Sequence, residues 1–276
     1  MTLFDWKLVL EQIPTILTAL PVTIELTIIA TLIGYTLGLL LALIKINKIP
    51  VLRQFAAAYV SIIRGTPIIV QLYVTYYGIP LILKYHNMRF GTNYNLNAIP
   101  SILFAIIALG LNQSAFDSEV IRAAIQSVDR GQIEAAKTLG MSGSQILRRV
   151  LLPQAVVVAL PSLGNSLISL IKGTSLAFTV AVVDLTAQGR ILAGRNFRYF
   201  EVYCSLAIIY WVITVVLEKA FKMLEKRFSI PEQPPVSNPQ NEKARAIVTV
   251  SASSVSGTVG ETGVTTADRR AGGVVS

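Results

Sequence analysis

Long runs of apolar residues alternate with short polar segments along most of this chain. A helix needs roughly 20 apolar residues to cross a bilayer core about 30 Å thick. The run from Val22 to Ile44 meets that requirement, since it holds one charged residue, Glu25, and is followed directly by Lys45. By the same criterion, we expect five membrane-crossing helices, at about 22–44, 66–83, 98–115, 155–171 or longer, and 202–221.

The second run begins next to a proline. Pro67 suits the first turn of a helix, where its missing N–H has no helical partner in any case. The stretch before it, residues 51–63, is apolar but interrupted by polar side chains. We therefore expect residues 51–63 to lie along the membrane interface or to form the first turns of the second span.

Composition supports an integral membrane protein. Hydrophobic residues make up 53% of the 276 residues and charged residues 14%, whereas an ordinary soluble domain carries about 25% charge. The single cysteine and the apolar content exclude a disulfide scaffold and a chain that is disordered throughout. The fold class predicted for residues 1–230 is therefore all-α, with five transmembrane helices and short loops.

The last part of the chain has a different composition. Residues 231–276 begin with three prolines among five residues and continue in Ser, Thr, Gly, Val and Ala without a repeat. Such a segment buries too little apolar surface to offset the entropy of ordering. We predict a disordered, low-complexity tail, and the alternative is a small strand-forming element at residues 247–250.

The positive charge indicates orientation in the membrane. The net charge is +9 and lies entirely in residues 1–230, because the tail has four basic and four acidic residues. If the loop at 45–53 is cytoplasmic, twelve basic residues lie on the inner side and six on the outer side. This bias predicts an outside N-terminus and a cytoplasmic C-terminus, and it gives no reason to expect nucleic acid as a partner.

The longest polar segment between spans, residues 117–153, has the pattern of two short helices around a turn. Residues 132–139 are good helix formers. Gly140 suits the left-handed position after a helix, and Ser142 suits the cap of the next helix. Pro153 marks the beginning of the fourth span. We expect a short rigid helix that projects from the membrane.

The loop contains a spaced pattern formed by Glu134, Ala135, Ala136, Gly140, Val150, Leu152 and Pro153. This pattern resembles the EAA loop of bacterial ABC-importer permease subunits, with Val150 where isoleucine is usual. The resemblance extends over residues 12–228 to the polar amino acid permeases of the histidine and glutamine type. The segments that carry it are Arg64-Gly65-Thr66-Pro67 with Gln71, Asn112-Gln113 with Phe116, Gly131-Gln132, Leu152-Pro153-Gln154-Ala155 and Lys172-Gly173-Thr174-Ser175-Leu176.

The resemblance implies a transport subunit with partners in a bacterial plasma membrane. Its loop, residues 131–153, is then the coupling helix that docks in a cleft of an ABC ATPase subunit. Glu134, Ala135, Ala136 and Gly140 would form this contact, and Pro153 would stop the loop helix at the bilayer so that motion passes into the fourth span. Two permease subunits, identical or similar, would form the pore among membrane lipids, and an extracytoplasmic substrate-binding protein would deliver the substrate.

No enzymatic motif occurs in the sequence. The phosphate-binding pattern Gly-x-x-x-x-Gly-Lys-Ser/Thr is absent, so we expect ATP and Mg²⁺ on the partner ATPase and no cofactor on this chain. His86 is the single histidine and Cys204 the single cysteine, which leaves no histidine-based triad and no metal site of several imidazole or thiolate ligands. The chain is therefore expected to be a transport subunit and not an enzyme.

Polar residues at membrane depth are candidates for the substrate path, because they are costly there. Asn165, Ser169 and Lys172 are spaced four and three apart and share one helix face. That face either lines a path or bonds and packs between helices through Gly164, Ser166 and Ser169. The resemblance implies that a wider set lies near the path, and these residues are Thr66, Gln71, Asn165, Lys172 and Thr174. For Arg64 we expect a snorkelling side chain in preference to a substrate contact.

The identity of the substrate is suggested by one departure from the family pattern. Related permeases often have aspartate where this chain has Gly173, and its loss removes a negative charge next to Lys172. This argues against a basic amino acid, and the glycine form looks like members that carry cystine or related sulfur amino acids. The alternatives are an ion-coupled secondary amino-acid transporter, for which we find no internal repeat and only Glu25 as an intramembrane carboxylate, and a membrane scaffold without transport.

Overall fold

The computed structural model describes residues 4–228, and within this range the chain forms helices and no strand. The α-helices are α1 Trp6–Leu17, α2 Leu20–Ile46, α3 Leu52–Gly65, α4 Ile68–Phe90, α5 Ser101–Gln126, α6 Arg130–Thr138, α7 Gly143–Ile146, α8 Leu152–Gly173, α9 Leu185–Asn196 and α10 Tyr199–Phe228. Two 3₁₀ segments, Leu96–Ala98 and Thr174–Val180, and a π-helical turn at Leu147–Leu151 lie between them. The tail predicted at 231–276 lies outside the described residues.

Five helical segments in the described range are long and apolar enough to cross a membrane. They are α2, α4, α5, the segment Gly143–Val180 that contains α8, and α10. This confirms the predicted all-α fold with five transmembrane helices. The observed segments are longer than the apolar runs, and α5 continues to Gln126 although its run ends near residue 115, because polar residues such as Asp117 and Ser118 are buried against neighbouring helices there. The fourth segment also continues past Lys172, as the longer prediction had it.

The stretch before the second span forms a helix of its own. α3 ends at Gly65, and Thr66 and Pro67 adopt extended conformations with ψ of 142° and 139° before α4 begins at Ile68. Pro67 was predicted inside the first turn, but it precedes the first helical residue. The physical reason for the break is that a residue before proline is driven out of the α-helical region.

Two further helices, α1 and α9, pack against α10. Their shared core contains Ile16 of α1, Leu185 of α9 and Val202 of α10, all fully buried. Each has 12 residues, and the span criterion therefore does not detect them.

Two glycines allow α2 and α5 to approach closely. A Cβ atom added to Gly34 would lie 2.6 Å from Cγ of Gln113, and one added to Gly38 would lie 3.1 Å from the backbone nitrogen of Ser118. The glycines are four residues apart and thus occupy one face of α2, which is the small-residue spacing typical of tight helix contacts in membranes. This contact places Gln113 and Asp117 of α5 in the interior.

Candidate functional site

The first half of the polar loop is a short helix with defined ends. At the start of α6, the carboxylate of Asp129 accepts a hydrogen bond from the backbone nitrogen of Gly131 at 2.6 Å. At its end, Gly140 has a φ of +74°, its N–H donates to the Lys137 carbonyl at 2.9 Å, and the Met141 N–H donates to the Ala136 carbonyl at 3.1 Å. This pair of bonds is a Schellman motif with glycine at the left-handed position, which confirms the predicted role of Gly140 in the backbone.

The second half of the loop is a helix that continues into the membrane. Ser142 and Gln145 form a capping box at the start of α7, with the Ser142 N–H donating to the Gln145 side chain at 2.8 Å. This confirms the predicted cap. The prediction that Pro153 stops the loop helix is wrong, because α7, the π-helical turn and α8 follow one another without a break. Proline cannot donate to the carbonyl four residues earlier, and the chain meets this with a widened turn in which the Leu152 N–H donates to the Leu147 carbonyl.

α6 presents a small surface to solvent. Glu134, Ala135 and Gly140 are exposed, and Leu139 has 81% of its surface exposed at the end of the helix. Ala136 is buried and so lies on the side of α6 that faces the rest of the loop. The contact of Glu134, Ala135, Ala136 and Gly140 with an ATPase stays a prediction.

One side-chain hydrogen bond links α6 to α8. The amide of Gln154, in the first turn of α8, donates to the side-chain oxygen of Gln132 and to the Val150 carbonyl in the π-helical turn. Gln154 therefore holds the short helix, the widened turn and the membrane helix together. Both glutamines lie in segments that carry the family resemblance, but the sequence alone does not pair them.

The fourth span carries an exposed polar face. Asn165, Ser169 and Lys172 are all exposed, together with Ser162 one turn earlier. On the other side of the same helix, Gly164, Ile168 and Ile171 are buried. The three predicted residues thus share one face, as their spacing indicates, and that face is exposed in the described chain.

Ser166, next to this face, belongs to a buried network that the sequence did not predict. Its hydroxyl donates to the Asp117 carboxylate at 2.6 Å, and the Gln113 amide donates to both oxygens of Asp117 at 3.1 Å. Asp117 of α5 is fully buried where α5 meets α2 and α8. Its position directly after an apolar run suggested a membrane boundary. The continuation of α5 places it inside the bundle instead.

Three predicted path residues use their polar groups within the described chain. The Gln71 amide donates to the Ile63 carbonyl and to the Thr66 hydroxyl, both at 2.8 Å, and accepts from the Asn112 amide at 3.0 Å. Thr174 is buried and donates to the Ile171 carbonyl. Gln71 thus joins the α3–α4 break to α5. The proximity of Thr66, Gln71 and Thr174 to a substrate path stays a prediction.

A small cluster of charged side chains lies where α2 ends. Lys45 at the end of α2 lies 2.6 Å from Glu119 of α5, whose other oxygen accepts from Arg122 at 2.7 Å. The Arg64 guanidinium lies 5.3 Å from the ring centroid of Phe116. Within residues 4–228, no three His, Cys, Asp or Glu side chains lie close enough to hold a metal ion.

A second buried carboxylate stabilises the loop after the fourth span. Asp184 is fully buried and accepts a hydrogen bond from the Ala187 N–H at 2.9 Å, so it caps the start of α9. Burial raises the pKa of the Asp184 carboxyl above its usual range, and the hydrogen bond from Ala187 opposes that shift. An aspartate directly before the first helical residue is a favoured N-cap, although the sequence around Asp184 does not by itself predict a helix as short as α9.

Known proteins share both the sequence and the fold of this chain. Residues 34–230 match the family described as binding-protein-dependent transport system inner membrane component. The chain is 41% identical over 231 residues to the probable amino-acid permease protein YxeN of Bacillus subtilis (strain 168), a match that covers 84% of this chain and 99% of YxeN. It is 40% identical over 224 residues to the L-cystine transport system permease protein TcyL of the same organism, with 81% and 91% covered. The crystal structure of an amino acid ABC transporter with histidines matches with a TM-score of 0.69 and 38% identity, over 82% of this chain and 100% of that one.

Proposed function

Because this chain belongs to the family of binding-protein-dependent transport system inner membrane components, as a multi-pass permease subunit of an amino-acid ABC importer, we propose that it supplies half of the translocation pathway and couples that half to a separate ATPase. ATP and Mg²⁺ bind to the ATPase, since this sequence has no phosphate-binding glycine-rich loop. A substrate-binding protein delivers the amino acid from outside. We further propose that the N-terminus is outside and the C-terminus cytoplasmic, in line with the twelve-to-six distribution of basic residues.

The observation that carries the pathway half of this proposal is the exposed polar face of α8. A charged residue facing lipid is unfavourable, at about 2.5–3.5 kcal/mol for a lysine at the centre of a membrane helix. Lys172 lies in the last turn of α8, where this cost is smaller, and Asn165 and Ser169 add two further polar groups to the same exposed face. A face of this kind is stable when it lines water or meets another protein surface. A second permease subunit opposite α8, with the path between the two copies, satisfies both conditions.

The coupling half of the proposal rests on the shape of the loop. Glu134, Ala135 and Leu139 form a small exposed surface at one end of the bundle, and Gly140 ends the helix there. Small side chains allow a partner to approach the α6 backbone closely. A push on α6 passes through Gln132 and Gln154 into α8, which carries the polar face.

A paired substitution in the loop tests the coupling. Gly140→Asp places a side chain at a φ of +74°, whereas Gly143→Asp changes an equally open glycine with ordinary backbone angles at the first turn of α7. We expect Gly140→Asp to reduce both co-purification of the ATPase and ATP-driven uptake, and Gly143→Asp to leave both close to the unmodified transporter. If the complex and uptake survive Gly140→Asp, the loop is not the coupling element.

The substrate that we propose is cystine or a related sulfur amino acid. Two observations support it: TcyL, named for L-cystine transport, is 40% identical, and Gly173 leaves Lys172 without an adjacent carboxylate in the sequence. Cystine is net neutral at neutral pH, with two carboxylates and two ammonium groups, and either carboxylate can pair with Lys172. Uptake of radiolabelled cystine, arginine and glutamine by the reconstituted complex separates the possibilities, and arginine as the preferred substrate would refute the assignment.

The ion-coupled alternative is not favoured by the family match. Asp117 is an intramembrane carboxylate, but its oxygens are engaged by Ser166 and Gln113, and its side chain is fully buried. The same reconstituted complex distinguishes the two classes. We expect uptake with ATP and no ion gradient, and none with an ion gradient and no ATP.

A further inference from the structure

The turn between α2 and α3 encloses a hollow at the end of the first span. α2 ends at Ile46 and α3 begins at Leu52, so this turn lies where the chain leaves the hydrocarbon and reaches the level of the lipid headgroups. The hollow has a volume of about 400 Å³. Its lining consists of Lys48, Ile49, Pro50, Val51, Arg53, Gln54 and Ala57.

The hollow carries positive charge that the described residues do not neutralise. Lys48 and Arg53 are both exposed, and no ion pair joins either of them to a carboxylate in residues 4–228. Glu119, which pairs with Lys45 at the end of α2, also bonds to Arg122. An anion that enters the hollow therefore meets two cations and no acidic side chain in the lining.

Apolar side chains flank the two cations. Val51, Leu52 and Phe55 expose 62%, 50% and 68% of their surfaces. Exposure of three apolar side chains to water at the start of one helix is unfavourable, whereas their contact with acyl chains is favourable. The combination of cationic and apolar groups matches an interfacial helix that binds anionic lipid.

The backbone N–H groups at the start of α3 are already hydrogen-bonded, so side chains would bind the anion. The N–H groups of Leu52 and Arg53 donate to the carbonyls of Pro50 and Ile49 at 2.7 and 3.0 Å, so the first turn of α3 is already satisfied. Val51 has a φ of +67°, which is a rare conformation for a β-branched residue. This conformation sets Lys48 and Arg53 on the same hollow.

We propose that this hollow binds the phosphate of an anionic phospholipid, with Lys48 and Arg53 at the headgroup and Val51, Leu52 and Phe55 against the acyl chains. The occupant is a lipid and not a free anion, because the apolar flank is continuous with the cationic lining. Basic pockets at the membrane boundary between helices are known to select anionic headgroups. The site is separate from the polar face of α8, and the proposal does not depend on the transport assignment.

Native mass spectrometry of the full-length chain tests the site. The purified chain is incubated with phosphatidylglycerol or with phosphatidylcholine of the same acyl chains, and the lipid retained is counted. The test variant is K48Q/R53Q. The control is K222Q/R227Q, which removes the same charge from exposed positions near the end of α10, away from the hollow. A third sample receives phosphatidylglycerol together with an excess of inorganic phosphate.

The expected results separate a lipid site from general charge attraction. We expect the unmodified chain and K222Q/R227Q to prefer phosphatidylglycerol, and K48Q/R53Q to lose up to about thirtyfold of that preference, which corresponds to about 1 kcal/mol for each cation. Equal retention of the two lipids by the unmodified chain would overturn the proposal. This outcome does not depend on whether a variant folds. An equal loss in the control variant, or displacement of the lipid by inorganic phosphate alone, would overturn it as well.

Discussion

Replacement of Gly34 by alanine is expected to disturb the transporter at the contact between α2 and α5. The added Cβ would lie 2.6 Å from Cγ and 2.9 Å from Cβ of Gln113. These two atoms are near the backbone, so the Gln113 side chain cannot swing aside without a shift of α5. The amide of Gln113 is one of the donors to the buried Asp117 carboxylate, and that hydrogen bond is lost when the side chain moves.

The magnitude follows from three contributions to the free energy of unfolding. Insertion of a methyl group into a close contact costs about 1–3 kcal/mol. Loss of the hydrogen bond from Gln113 to the buried Asp117 adds about 1 kcal/mol, and the higher helix propensity of alanine returns about 1 kcal/mol. The net destabilisation is about 2 kcal/mol, which corresponds to a decrease of about 4–8 °C in Tm for a chain of this size.

The assay is thermal unfolding of the full-length chain in detergent at one scan rate. The matched control is Gly78→Ala in α4, because a Cβ atom at Gly78 has no neighbour within 4 Å. We expect this control to keep or slightly raise Tm. If Gly34→Ala unfolds at the same temperature as Gly78→Ala, the close contact between α2 and α5 does not exist and the position of Asp117 has to be revised.

Two serine substitutions distinguish residues that stabilise the helices around the path from residues that line it. Ser166→Ala removes the hydroxyl that donates to Asp117, so we expect a loss of about 1.5–3 kcal/mol of stability. Ser169→Ala on the exposed face should change Tm little and reduce uptake, and equal Tm values for the two variants would contradict this division. Gln154→Leu breaks the link to Gln132, so we expect ATP hydrolysis to continue while uptake per ATP falls severalfold, and an unchanged ratio of uptake to hydrolysis would show that the link transmits nothing.

The features predicted from the sequence are those that depend on neighbouring residues. Apolar runs locate the spans. Gly140 has no Cβ atom and Ser142 has a short polar side chain, and both act on the backbone within one turn. The spacing of Asn165 and Lys172 places them on one face because helical geometry is regular.

The features missed depend on residues far apart in the sequence. Asp117 and Ser166 are 49 residues apart, and only the close approach of α2 through Gly34 and Gly38 brings α5 and α8 into the arrangement in which they bond. The continuity of the helix through Pro153 was also missed, because a proline signals either a helix start or a widened turn. The surrounding hydrogen bonds decide between the two.

The exposed face of α8 matters for transport only if water reaches it. The solvent exposure of Asn165 and Ser169 arises because no described part of the chain covers them, and a second permease subunit is the proposed neighbour. A face that lines a path between two subunits stays open to water-soluble reagents. A face that is sealed against lipid or protein does not.

Thiol labelling of the assembled transporter tests this claim most directly. Cys204 is first replaced by alanine. Ser169→Cys is then compared with Leu32→Cys, which places a thiol at an exposed apolar position on α2. We predict that a water-soluble maleimide labels Ser169→Cys, that substrate slows this labelling, and that Leu32→Cys stays unlabelled. Labelling of Leu32→Cys with no reaction at Ser169→Cys would contradict the assignment of α8 to the translocation path.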